Sequence, residues 1–150
     1  RENLNRTGLN AEIITGDALI WESDAPFDAI LLDAPCSATG TIRRHPDLPF
    51  IRKPGDVAAL VELQAQMLDR ALTLLKPGGR IVYCTCSLLP DEGEAQIEAA
   101  LTRHPGLKPL PLPEMPFGRA TEEGGWRTLP YDLPGGNDGF YMALLCLDAR

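Results

Sequence analysis

The run LLKPGGRIVYCTCSLLPDEGE, residues 74–94, decides the fold. Leu74 and Leu75 end an apolar helical period, Lys76 closes the last turn, and Pro77-Gly78-Gly79 stops it. Arg80–Cys84 (RIVYC) follows as a short apolar strand, with the polar Thr85-Cys86-Ser87 at its carboxyl end. Asp91, Glu92 and Glu94 then open a second helix, expected over Asp91–Arg103, where the helix dipole favours negative charge. Helix, strand and helix in succession are the grammar of an α/β sheet.

Upstream, apolar residues recur from Val57 to Leu75 with a helical period that breaks at Gln64, and Asp56 is the expected N-cap. Phe27–Leu32 (FDAILL) is continuously apolar, which fits a strand buried on both faces, and Asp33-Ala34-Pro35-Cys36 stops it. Glu12–Thr15 (EIIT) is a shorter β-rich run ended by Gly16-Asp17. Arg1–Leu9 reads as the tail of a helix with Gly8 as its C-cap. Downstream, residues 105–138 form a Pro/Gly-rich loop region, and Phe140–Leu147 (FYMALLCL) is a last strand. The expected fold is α/β, Rossmann-like, with a mostly parallel sheet. The ligand crevice of such sheets lies beyond the strand carboxyl ends. Asp17, Asp33 with Cys36, and Cys86 would gather there.

The chain has 150 residues, 44% hydrophobic and 23% charged, and a net charge of −7. One globular domain is the default. No apolar stretch reaches the ~18 residues of a membrane span. The first ten residues are polar, without the hydrophobic core of a secretory signal, so a cytoplasmic location is expected. An acidic chain is a poor general binder of phosphate backbones, so nucleic acid would need a local basic patch. Arg43, Arg44, Arg52 and Lys53 make the one dense basic stretch, and a solvated loop is the bland alternative. His45 within it is read as a loop residue. Trp126 and Tyr131 can stack on a base, but aromatics in such a loop more often pin it to the core.

The four cysteines, Cys36, Cys84, Cys86 and Cys146, have no Cys-x-x-Cys spacing, and His45 and His104 stand alone, so no metal is expected. Cys84 and Cys146 lie inside apolar runs and read as core. Cys86 lies past its run, where packing needs no thiol. Adjacent strand ends are ~5 Å apart, so Cys36 and Cys86 would face one crevice. Two thiols and the Asp33 carboxylate suit attack on a pyrimidine. A thiolate adding to carbon 6 of cytosine makes carbon 5 nucleophilic, a covalent route through easier steps. An acid at ring nitrogen 3 would stabilise the developing charge.

The runs LLDAPCSATGTIRRHPD (31–47) and LLKPGGRIVYCTCSLLPDEGE (74–94) resemble the fourth and sixth motifs of the Sun family of RNA cytosine-5 methyltransferases. The likeness is closest to the Sun/Fmu-type (RsmB-like) enzymes of small-subunit ribosomal RNA. Gly16-Asp17-Ala18 resembles the third motif, and Arg127–Pro130 with Asp138-Gly139-Phe140 the closing ones. The resemblance implies S-adenosyl-L-methionine as methyl donor and 16S ribosomal RNA as the substrate. It makes Cys86 the nucleophile, Cys36 the residue of product release, Asp33 a neighbour of base and donor, and Asp17 a neighbour of the donor's adenosine. The family's glycine-rich first motif and acidic ribose-binding residue have no counterpart among these 150 residues. The chain is therefore expected to be the carboxyl-terminal part of one catalytic domain, its amino-terminal half missing, and inactive in isolation. Alternatives are a transfer RNA cytosine-5 methyltransferase and a non-catalytic methyltransferase-fold fragment. A Cys-His hydrolase is disfavoured, because neither histidine falls at a strand end.

Overall fold

The computed structural model describes residues 1–51 and 53–149. Arg52, one of the expected RNA contacts, lies outside the described residues. The elements are α1 (Glu2–Thr7), β1 (Phe27–Asp33), α2 (Leu48–Ile51), α3 (Pro54–Thr73), β2 (Leu75–Thr85), α4 (Glu94–Arg103), β3 (Leu107–Leu110), β4 (Arg119–Ala120), β5 (Gly125–Thr128) and β6 (Phe140–Leu147).

The strands form one sheet in the order β1-β2-β6-β5-β4, with β3 also pairing β6. β1 and β2 are parallel, and every other pair is antiparallel. The expected mostly parallel sheet is therefore a mixed one. Hydrophobic runs mark strands but carry no direction: β6, an expected strand, lies antiparallel to β2, and the other antiparallel pairs involve the segment expected to be loop. Residues 105–138 hold β3, β4 and β5, which are two to four residues long. Pro109 and Gly125 within them mask the strand signal.

One face of the sheet carries the core. Ile81, Tyr83 and Thr85 of β2 alternate inward and lie opposite Leu145, Ala143 and Tyr141 of β6, all fully buried. Leu68, Ala71 and Leu72 of α3 and Ile97 and Ala100 of α4 belong to the same cluster. The other face is only half-buried at Val82, Cys84, Met142 and Cys146. β1 is an edge strand with Leu31 at 70% exposure. Its apolar run is thus not buried on both faces.

Several bounds differ from the sequence reading, among them the start of α4, which is Glu94 and not Asp91. Glu12–Thr15 is not a strand and is exposed throughout, because no described strand lies beside it. α3 starts at Pro54, so Asp56 is not the N-cap but the third helical residue, and it accepts the backbone amide of the N-cap Lys53 at 3.0 Å. β2 begins at Leu75, and Lys76–Gly79 bulge out of the ladder between the pairs Phe27↔Leu75 and Ala29↔Arg80. α1 ends as expected, with Gly8 left-handed at φ 68°. Among the described residues no helix is long and apolar enough to cross a membrane.

Candidate active site

β1 and β2 run side by side in parallel, so their carboxyl ends emerge together, with Asp33 opposite Cys84. The two following loops bring Cys36 and Cys86 to 3.5 Å, sulfur to sulfur, and both thiols are free and half-buried. Hydrogen bonding from Cys36 holds Cys86 down at about 7, against burial and the Asp33 charge, which push it up. The same bond, and then burial, holds the Cys36 thiol far above the usual range. The pair is therefore asymmetric: Cys86 is the more readily ionised thiol, and Cys36 is the one that keeps its proton.

Asp33 is exposed at the end of β1, and the Cys84 sulfur lies 3.8 Å from its Oδ1. Burial and the Asp33 charge raise Cys84 to about 11. Cys84 and Cys146 are half-buried on the thinly covered face, not core residues as expected, because alternation along β2 and β6 turns them away from α3 and α4. Asp17 sits in an exposed turn, not at a strand end. Its Oδ1 accepts the Leu19 amide at 2.9 Å and its carbonyl accepts Trp21 N–H at 2.9 Å.

The loop after β1 is pressed onto the loop after β2. Gly40 N–H donates to the Cys86 carbonyl and Gly139 N–H to the Gly40 carbonyl, both at 2.9 Å. Ala38 adopts a left-handed φ of 59°, a conformation kept by the contacts around it. Arg44 forks onto Asp138 at 2.6 and 2.9 Å, which raises the Arg44 guanidinium and lowers the Asp138 carboxyl. Arg43 lies 4.0 Å from Asp138 and 3.4 Å from the Gly135 carbonyl. These two arginines tie residues 135–138 to the thiol loops, while Lys53 is exposed. Trp126 donates to the Phe117 carbonyl at 3.0 Å, pinning its loop, and Tyr131 is exposed.

Several site residues were missed from the sequence. Ser37 and Ser87, which follow the two cysteines, are buried with Glu92 and Gln64 in one polar network. Arg127 is buried against Glu94, donates to the Ser87 carbonyl, and lies 5.0 Å from the Tyr141 ring centre. The break in the α3 period at Gln64 was the one available signal. Glu92 lies in a 3-10 turn ahead of α4, so it is not a residue of the expected helix start.

An apolar cleft of about 580 Å³ runs beside β1, lined by Ile14, Trp21, Phe27, Leu31, Met67 and Leu74 among others. It does not include either thiol of the pair.

Residues 1–146 match the family model for 16S rRNA methyltransferase RsmB/F. Ribosomal RNA small subunit methyltransferase B of Vibrio cholerae is 46% identical over 97% of the chain, and that of Pasteurella multocida 47% over 96%. The chain spans about a third of these relatives, 32% and 33% of their lengths. A methyltransferase homolog protein from Pyrococcus horikoshii superposes with TM-score 0.78 at 35% identity, over 97% of this chain and 48% of its own. NSun6 from Pyrococcus horikoshii, solved with SFG, superposes with TM-score 0.82 at 28% identity, over 97% and 37%.

Proposed function

The chain belongs to the 16S rRNA methyltransferase RsmB/F family, and from that membership we propose that it carries the reacting residues of an S-adenosylmethionine-dependent cytosine-5 methyltransferase of small-subunit ribosomal RNA. The observation that carries this reading is the asymmetric thiol pair at 3.5 Å beside the Asp33 carboxylate. A group kept half-ionised at neutral pH, in contact with a protonated twin, is a nucleophile and a proton donor in one place.

Cys86 Sγ attacks carbon 6 of the cytosine, and the carbon–sulfur bond forms as the 5,6 double bond opens. Asp33, at the end of β1 beside the pair, stands where ring nitrogen 3 would be held as charge develops there. Carbon 5 then takes the methyl group. Water takes the carbon 5 proton, and the electron pair left behind re-forms the double bond and expels Cys86 as a thiolate. Cys36 assists that departure, because it stands against the leaving sulfur and keeps its proton near neutral pH.

The methyl donor, when bound, supplies an electrophilic methyl group. The residues present fit its reacting end: Asp33 is an exposed carboxylate at a strand end, suited to a cationic ligand bearing an ammonium group. Asp33 and Asp17 would hold it. The NSun6 structure with SFG, an S-adenosylmethionine analogue, supports this choice of donor. Lys53 is exposed and would reach phosphate, and Arg43 is held by Asp138 only at 4.0 Å, whereas Arg44 is engaged by Asp138 at 2.6 Å.

The test is made in the intact protein that contains these motifs. Cys86→Ser should abolish a covalent protein–RNA species, because serine is far less nucleophilic near neutral pH. Cys36→Ser should let that species form and accumulate. Adduct formation by Cys86→Ser and its loss in Cys36→Ser would refute the roles given. Mapping 5-methylcytosine in ribosomal and transfer RNA from a strain lacking the gene decides the substrate.

A further inference from the structure

The two thiol loops come from different strands, 50 residues apart, and something must hold them in register. Glu92 is fully buried between them. Its Oε1 accepts the Ser37 amide at 2.9 Å and Gln64 Nε2 at 3.0 Å. Its Oε2 accepts the hydroxyls of Ser37 and Ser87, both at 2.5 Å. Each serine is the residue directly after a cysteine of the pair. We propose that Glu92 is a positioning residue that clasps the Cys36 and Cys86 loops together through Ser37 and Ser87. The proposal rests on the reading of these two cysteines as the reacting pair.

The surroundings suit that task. The Tyr83 hydroxyl fixes the Glu92 carbonyl at 2.8 Å. Gln64 also donates to the Pro35 carbonyl at 2.8 Å, so α3 holds the first loop and its clasp at once. Thr39 bridges the two serines at 3.3 and 3.2 Å and accepts the Leu88 amide at 2.9 Å. The Ser87 hydroxyl also accepts the Leu89 amide at 3.0 Å. Four donors thus converge on two carboxylate oxygens, an arrangement only an acceptor-only group satisfies fully. An amide there would point N–H groups at the serine hydroxyls. Because each serine is one residue from its thiol, a shift in the clasp shifts the sulfur.

The experiment reads the thiols of the intact protein that contains these motifs, without RNA or donor. The midpoint of the pH profile for alkylation of Cys86 by iodoacetamide, followed by peptide mapping, should lie near 7 in the parent chain. In Glu92→Gln the loops should part, the Cys36 hydrogen bond should weaken, and the midpoint should climb toward the ordinary 9.0. Diamide-driven formation of a Cys36–Cys86 disulfide should slow at least about tenfold, because closeness sets the effective concentration of one thiol at the other. A purely structural Glu92 would lower the melting temperature and leave the midpoint where it was, and that result would overturn the proposal. Should Glu92→Gln fail to fold, Ser37→Ala and Ser87→Ala each remove one arm of the clasp. Raised midpoints in both support it, and an unchanged midpoint in either refutes it. Absence of an RNA adduct in the parent enzyme would sink the methyltransferase mechanism and leave these thiol results intact. Unchanged thiols in Glu92→Gln would sink the clasp alone.

Discussion

Replacing Gly40 by alanine tests how closely the thiol loops are fitted. A Cβ at Gly40 would lie 2.0 Å from the Gly139 carbonyl oxygen and 2.8 Å from that of Cys86. Both are backbone atoms, so no flexible side chain can swing away. The loop must back off, which breaks the Gly40 amide bond to Cys86 and the Gly139 amide bond to Gly40. Two such bonds contribute about 0.5–1.5 kcal/mol each. Overpacking a close-fitted site costs about 1–3 kcal/mol more. The expected loss is therefore about 2–6 kcal/mol. With a urea slope of about 1–3 kcal/mol per molar, the unfolding midpoint should fall by about 0.7 M or more. Gly55→Ala is the control, since nothing lies within 4 Å of its added Cβ and the position is in the first turn of α3. It should be neutral or gain up to about 1 kcal/mol. Equal midpoints for the two variants in urea titrations followed by circular dichroism would refute the reasoning.

Further outcomes concern charge and burial. Stability should rise from pH 7 to 9 and fall above it. Cys86 is depressed to about 7, so between there and 9.0 the unfolded chain binds more protons, and its contribution, complete above 9.0, is lost as pH falls through 7. Cys36, Cys84, Tyr83 and Tyr141 are all raised, so at higher pH the folded chain holds protons that the unfolded chain releases. Urea midpoints measured across this range should show the maximum, and Cys86→Ser should flatten its acid side. Arg127→Met should cost about 3 kcal/mol or more, because it strands Glu94 beside a buried site and frees the Ser87 carbonyl. A calorimetric melt within a degree of the parent would refute that. Arg44→Ala, by contrast, breaks an ion pair whose arginine is half-exposed, and should lower the urea midpoint far less than Arg127→Met and less still in high salt.

Much of the scaffold was legible because its signals are local. β6 was read at its observed bounds, and β1 within one residue, since continuous apolar runs mark themselves. The α3 helix was likewise marked by its period, though not its first residues. What escaped depends on partners. EIIT has strand propensity but no neighbouring strand to complete its hydrogen bonds, and propensity alone does not make a sheet. β3 and β5 exist because β6 offers them an edge: Leu107–Leu110 pair with Leu144–Leu147, and Gly125–Thr128 with Phe140–Ala143. Those pairings, with β6 itself antiparallel to β2, convert a mostly parallel expectation into a mixed sheet.

The site divides along the same line. Asp33, Cys36 and Cys86 were legible because strand-end position is read directly from where an apolar run stops, and parallel neighbours put two such ends together. Glu92 was not, since an acid just ahead of a helix has an ordinary explanation in the helix dipole. Only long-range packing turns it inward, against Ser37 of one loop and Ser87 of the other. The trace it left was elsewhere, in a helix that breaks its apolar period at Gln64 so that one buried amide can serve both Pro35 and Glu92. A polar residue on the core side of an amphipathic helix needs a partner, because an unpaired buried amide costs about 1–3 kcal/mol. Here that partner is a carboxylate, and the same carboxylate meets the residues next to both thiols. The gap in the helix pattern and the closeness of the two sulfurs thus have a single physical cause.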